Sequence, residues 1–269
     1  MKPRSDRRPP LAKRQRPPSN WGNVADWYDS LVGEAGSEYQ REVVHPGVLR
    51  LLEARKTQRV LDMACGQGVF CRLLHEQGIK AVGVDAAAAL LHLARKRSDP
   101  TIEYFSGDAR ELSSVRELSG RTFDAAVCVL AIQDIDPIAP VFEGISRLLV
   151  PGGRLVIAMM HPAFRVPKQS SWGWDVQRGV QYRRVDRYLL PRKEPIITHP
   201  GSAPAQHTWT YHRPIEAYVK ALARAGLVID AMEEWVSHKI SDSGPRAAAE
   251  NTARREIPMF LALRAKKIS

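Results

Sequence analysis

Three aspartates punctuate the first half of this sequence, each at or just past the end of a short apolar run. Asp62 follows Val60-Leu61, Asp85 follows Ala81–Val84, and Asp108 comes shortly after Ile102–Phe105. Behind the first comes a glycine turn, Met63-Ala64-Cys65-Gly66-Gln67-Gly68. Gly66 and Gly68 let the backbone approach a ligand, and the helix expected from Val69 points its free N–H groups at the same spot. Such a spot favours a carboxylate or a phosphate. In an open α/β sheet, ligands sit beyond the carboxyl ends of the strands, where these aspartates would stand.

An alternation of strands and helices must position them. Arg59–Met63, Ala81–Val84, Ile102–Phe105, Phe123–Leu130 and Arg154–Met160 read as strands one to five. Helices are expected over Val69–Gln77, Ala86–Lys96 and Ile138–Leu149, the last stopped by Pro151-Gly152-Gly153. Continuous apolar strands between helices imply a parallel sheet covered on both faces. Before them, Trp21, Val24, Trp27, Tyr28 and Leu31 recur at helical spacing, and a second helix spans Glu38–Ala54 with a kink or break at Pro46. After Met160 the rhythm fails. The segment 161–213 reads as an insertion with strands over Val180–Leu189 and Gln206–Tyr211. A helix opened by Pro214, a sixth strand Leu227–Trp235, a helical stretch around Ala247–Ala253 and a final strand Ile257–Arg264 follow.

Bulk properties narrow the class. The chain has 269 residues and a net charge of +11. Residues 1–18 hold seven basic side chains against Asp6, and residues 161–213 hold nine against three acids, so the rest is close to neutral. The proline- and arginine-rich segment 1–19 reads as a disordered tail ahead of a domain spanning 20–269. No apolar run is long enough to span a membrane, and no secretory signal opens the chain. Cys65, Cys71 and Cys128 match no zinc spacing, so no metal site is expected; they read as reduced thiols of a cytoplasmic protein.

Five motifs in order carry a resemblance: Leu61–Gly68, Val82-Gly83-Val84-Asp85, Gly107-Asp108-Ala109, Phe123-Asp124, and Leu148-Leu149-Val150-Pro151-Gly152-Gly153. Over roughly 21–158 and 211–266 the chain resembles class I S-adenosylmethionine-dependent methyltransferases of the small-molecule type. The resemblance implies a doubly wound, Rossmann-like α/β fold. Its sheet would have seven strands, the last antiparallel, with the insertion after strand five. It implies S-adenosylmethionine as cofactor and S-adenosylhomocysteine as product. Ala64, Cys65, Gly66 and Gly68 would then form the cofactor turn, with Asp62 orienting the loop or the methionine ammonium. Asp85, beside Ala86, would accept hydrogen bonds from the ribose hydroxyls; the plainer reading is a helix N-cap. Asp108 would meet the adenine amino group with the Ala109 N–H nearby, or be a turn aspartate. Leu130 and Gln133 follow strand four, where the methyl group would lie. Tyr28 resembles a tyrosine that covers the cofactor, or it packs in the core. Ala64 departs from the pattern, which commonly has glycine there. Cys71 stands where a dinucleotide turn would want its third glycine, so a pyrophosphate is disfavoured.

For the acceptor, His161 at the end of strand five is a candidate base or substrate contact, or a hydrogen-bonded structural histidine. Trp209, Tyr211 and His212 are candidate substrate residues, and Arg165, Arg183 or Arg184 could pair with an anionic group. The plainer reading of the insertion is a satellite core under a solvated arginine face. The partner implied is a small molecule methylated on oxygen or nitrogen. Nucleic acid is disfavoured: Gln133-Asp134-Ile135-Asp136 replaces the Asn/Asp-Pro-Pro-aromatic motif of amino-methylating enzymes. The basic tail and insertion keep RNA methylation as an alternative, alongside a non-enzymatic S-adenosylmethionine-binding module.

Overall fold

The computed structural model describes residues 20–197 and 207–268. The tail 1–19 and Gln206 of an expected strand lie outside these residues. The sequence alternation folds as read. Strands β1 (Arg59–Met63), β2 (Lys80–Asp85), β3 (Glu103–Ser106), β4 (Phe123–Val129) and β5 (Leu149–Met160) form the parallel part of one sheet. Its order is β3-β2-β1-β4-β5-β11-β10. The last strand, β11 (Phe260–Lys267), runs antiparallel to both β5 and β10 (Leu227–Trp235).

Period-two alternation explains the two-sided core. Along β1, Val60 points to one face and Leu61 and Met63 to the other. The Val60 face is covered by α2 (His45–Leu52), α3 (Val69–Glu76) and α4 (Ala88–Arg97), through residues such as Leu52, Phe70, Leu74 and Leu91. The Leu61 face is covered by α5 (Ala139–Leu148) and α6 (Ile215–Arg224), through Phe142, Ile145, Tyr218 and Leu222. Helices α1 (Ala25–Val32) and α7 (Ala247–Glu256) complete the set.

Several boundaries moved for physical reasons. Helix α4 starts at Ala88 rather than Ala86, because the Asp85 carboxylate captures the Ala87 N–H at 2.7 Å. Strand β5 begins at Leu149 and carries Pro151-Gly152-Gly153 as a bulge beside Phe123 and Ala125. Pro46 does not break its helix. A π-helical turn over Gln40–Val44 precedes it, and Pro46 falls in the first turn of α2 (His45–Leu52), where a missing N–H is tolerated. The final strand sits three residues later than expected.

Among the described residues the insertion holds four strands where two were expected. Strands β6 (Ser170–Asp175) and β7 (Val180–Val185) pair as one antiparallel ribbon, and β8 (Arg192–Ile197) and β9 (His207–His212) as another. The β8–β9 ribbon packs against the turn Asn20–Val24 and the turn Ile132–Asp134, which places it over the carboxyl ends of the central strands.

Candidate active site

A cavity of about 290 Å³ opens beyond the carboxyl ends of β1 to β4. Its floor is the glycine turn, where Ala64 and Gly66 line it. Gly66 has φ +56° and Ala64 has φ +54°, both in the left-handed region that favours glycine. Gly66 donates its N–H to Asp85 Oδ2 at 2.8 Å. The other Asp85 oxygen holds the Ala87 N–H, so one carboxylate ties the turn to the start of α4 and still faces the cavity. Asp85 is not the N-cap of α4, which is Ala87 with no side-chain cap; its carboxylate anchors the turn ahead of the helix and lines the cavity. Burial pushes its pKa up, and the backbone N–H groups at Ala87 and Gly66 pull it back.

Asp108 is built the same way. It accepts the Arg110 N–H at 2.8 Å and the Arg110 Nε at 2.9 Å, capping the short helix Ala109–Ser114 while lining the cavity with Ala109 and Arg110. Leu130, another cavity residue, has φ +53°. Sparsely populated backbone of this kind collects at ligand sites.

Tyr28 closes the cavity over Gly66, and Trp21 meets its ring edge-on at 5.4 Å between centroids. Burial, then the charges of Asp85, Asp134 and Asp62, push the Tyr28 phenol upward, so it stays neutral. The next residue anchors this lid: Asp29 pairs with Arg97 on α4 through two N–H···O contacts of 2.5 and 2.8 Å. Gln67 Nε2 adds a bond to the Gly33 carbonyl at 2.7 Å. The roof is the β8–β9 ribbon, where Lys193 sits 4.0 Å above the Trp209 ring and Tyr211 stands beside it.

Not every expected residue faces this space. Asp62 is 2% exposed and accepts the Cys71 thiol at 3.4 Å; it does not line the cavity, nor do Cys65 and Gly68. Burial pushes the Asp62 pKa up to about 7. Gly68 instead starts α3, with the Tyr104 ring packed where a Cβ would go. Gln133 donates to the Leu130 carbonyl at 2.6 Å and lines an adjoining cavity of about 280 Å³. Asp134 and Tyr211 border both cavities. His212 lines the second, its Nε2 bonded to the Tyr188 carbonyl at 2.6 Å.

His161 lines neither cavity. It is 1% exposed, its Nε2 pairs with Glu234 at 2.7 Å, and its Nδ1 accepts the Ala163 N–H at 3.1 Å. Both ring nitrogens are occupied, so the structural reading of this histidine is the one the geometry supports.

Among the described residues, four carboxylates, Asp85, Asp108, Asp134 and Asp136, and two cations, Arg110 and Lys193, line the first cavity. That excess of acid suits a ligand that carries a sulfonium and an ammonium against one carboxylate. Arg110, Asp134, Lys193 and Thr208 were not singled out from sequence. Asp134 carried a readable signal, a carboxylate five residues past the end of a central strand. Lys193 carried none.

Comparison with known proteins agrees with this fold. Residues 60–153 match a family described as a methyltransferase domain. A 2-phytyl-1,4-naphtoquinone methyltransferase from Thermosynechococcus vestitus is 37% identical over 48% of this chain and 58% of its own. A demethylmenaquinone methyltransferase from Beutenbergia cavernae is 28% identical over 66% of this chain and 68% of its own. Across the first relatives, the match spans between 32% and 68% of their own lengths. Among solved structures, an S-adenosylmethionine dependent methyltransferase from Mesorhizobium loti is 26% identical, with a TM-score of 0.64 over 87% of this chain and all of that one. The strand order defines a Rossmann-like fold. Residues 60–153 thus match a methyltransferase domain, and the whole fold is similar to that of S-adenosylmethionine-dependent methyltransferases.

Proposed function

We propose that this protein transfers a methyl group from S-adenosylmethionine to an oxygen or nitrogen of a small-molecule acceptor. One observation carries the reading. The acid-rich cavity at the ends of β1 to β4 adjoins a second cavity under the insertion, and Asp134 and Tyr211 stand at their shared wall. The relatives named for quinone methylation support a small-molecule acceptor.

When bound, the cofactor supplies a methyl group on a sulfonium sulfur, a leaving group already activated by its charge. The protein's own work is alignment and exclusion of water, and good alignment supplies about 7–11 kcal/mol. Asp85 and Asp108 offer acceptors to the nucleoside, and the Gly66 turn allows close backbone approach. Tyr28 and Trp21 close one side, and the β8–β9 ribbon closes the other. Asp134 and Asp136 put negative charge near the end of β4.

The test is calorimetric titration with S-adenosylmethionine, followed by release of labelled methyl group to candidate small-molecule acceptors. Micromolar binding and turnover are expected. Absence of cofactor binding overturns the reading. Turnover confined to RNA, with binding that weakens steeply as salt rises, replaces it with the nucleic-acid alternative. Binding of S-adenosylmethionine with no turnover on any acceptor favours the binding module.

A further inference from the structure

Among the described residues, six side-chain polar atoms are buried without a hydrogen-bond partner. Four of the six belong to residues lining the second cavity: Gln133 Oε1, Asp134 Oδ1, Arg165 Nε and Arg213 Nη1. Buried polar groups are nearly always paired in native proteins, and one left without a partner is costly. Their concentration around one cavity marks a place where a ligand completes the pairing.

The four atoms are arranged by kind. The two acceptors sit on the turn after β4, and Asp134 also borders the cofactor cavity. The two donors belong to guanidiniums, Arg165 after β5 and Arg213 after β9. Arg213 is partly neutralised, since its Nη2 reaches Asp136 at 2.7 Å. Arg165 is not. Among the described residues its side chain makes no ion pair and no hydrogen bond, and its guanidinium lies 5.6 Å from the Trp172 ring centroid. Arg183 lies 5.2 Å from the same centroid and donates to the Phe164 carbonyl and the Ser170 hydroxyl, not to a carboxylate. Among the described residues, two half-buried cations therefore share one aromatic ring without a counter-ion. A lone buried charge is costly, so this arrangement calls for an anion. Met160, Pro162, Pro167 and Ile196 supply apolar lining for the same cavity.

We propose that the second cavity holds the methyl acceptor as an organic anion, its carboxylate or phosphate on Arg165 and its reacting hydroxyl or amine against Asp134. This rests on the methyltransferase reading above. The acceptor's oxygen or nitrogen lone pair forms the new bond to the methyl carbon, and the electrons of the broken carbon–sulfur bond leave with sulfur. The proton released from the acceptor passes to the Asp134 carboxylate. Burial, opposed by Thr210 and Arg213, pushes the Asp134 pKa up to about 7, which suits it to take that proton near neutral pH.

The experiment is calorimetry on the full chain saturated with S-adenosylhomocysteine, using matched probes. 4-Hydroxybenzoate is compared with 4-hydroxybenzamide, phenyl phosphate with phenol, and 4-hydroxybenzoate with benzoate. The anion of at least one of the first two pairs binds about tenfold or more tighter than its neutral counterpart, and the tighter pair identifies carboxylate or phosphate. Arg165→Gln reduces that preference to less than about twofold while S-adenosylhomocysteine affinity stays within about twofold, which also shows that the variant folds. Asp134→Ala erases the advantage of 4-hydroxybenzoate over benzoate and keeps the preference for the anion. Equal binding of anions and neutral counterparts, preferences unchanged in the variants, or no probe binding at millimolar concentration overturns the proposal while leaving the cofactor site standing. Failure of S-adenosylhomocysteine to bind overturns both readings.

Discussion

Asp85 organises the site through two backbone N–H groups and one cavity-facing edge, and its substitutions separate these duties. Asp85→Ala frees the Gly66 and Ala87 N–H groups and is expected to weaken S-adenosylmethionine binding a hundredfold or more, about 3 kcal/mol. Asp85→Asn keeps one acceptor oxygen and retains more of the fold, so its calorimetric loss reports the cofactor contact more directly. Asp62 behaves differently because it is sealed off. Its folded pKa of about 7 lies above the ordinary 3.8, so folding takes up a proton between those values. The associated stability is fully present below about pH 3.8 and is lost as pH rises through about 7. Asp62→Asn is therefore expected to melt higher than wild type by a margin that grows from pH 4 to pH 7 and then levels off, measured by thermal unfolding without ligand. Much of the cavity lining was readable at this scale, because Asp85 and Asp108 stand where strand ends and glycine spacing put them. His161 misled because its position relative to strand five says where its backbone goes, while Glu234, 73 residues away, decides where its ring goes.

At the scale of elements, the glycine turn and α3 act as one piece. Gly68 has φ +77°, and a Cβ there would collide with the Tyr104 ring. Gly68→Ala is expected to destabilise the protein by about 1–3 kcal/mol, visible as a lower melting temperature, with weakened cofactor binding because the turn shifts. The central elements were legible because burial on both faces demands continuous apolar strands, and β1 and β10 fall at the residues their patterns mark. The insertion resisted reading for the opposite reason. Its ribbons lack a one-sided apolar alternation: β8 carries Pro195 amid charged and apolar residues, and β6 holds two tryptophans about Gly173. Their support comes from elsewhere in the chain. Helix α7 packs on β7, and Arg246 lies 4.7 Å from the Trp174 ring. No local pattern announces a contact of that span. The β8–β9 roof depends on Trp209 meeting Lys193, so Trp209→Ala is expected to loosen acceptor-side closure and raise KM more than it lowers kcat, measured by steady-state kinetics once an acceptor is in hand.

For the molecule as a whole, the first cavity is walled by α1, the glycine turn, the ends of β2 to β4 and the β8–β9 ribbon, so a ligand there binds only the assembled fold. S-Adenosylhomocysteine at a hundred times its Kd should add about 2.7 kcal/mol. In a chain of this size that raises the melting temperature by about 5–10 °C, readable by differential scanning fluorimetry. A shift near zero at that saturation would mean the cavity does not hold the nucleoside. The sheet order has a consequence for biosynthesis. Strand β11 lies between β5 and β10 although it is translated after both. About a hundred residues separate the end of β5 from the start of β11. At about 5–20 residues per second, a ribosome leaves the β5 flank uncovered for roughly 5–20 s. A nascent chain halted before Phe260 would thus carry a long apolar edge open to any neighbouring strand. Expressed alone, residues 20–256 are expected to sediment as aggregate while 20–269 stays in the supernatant.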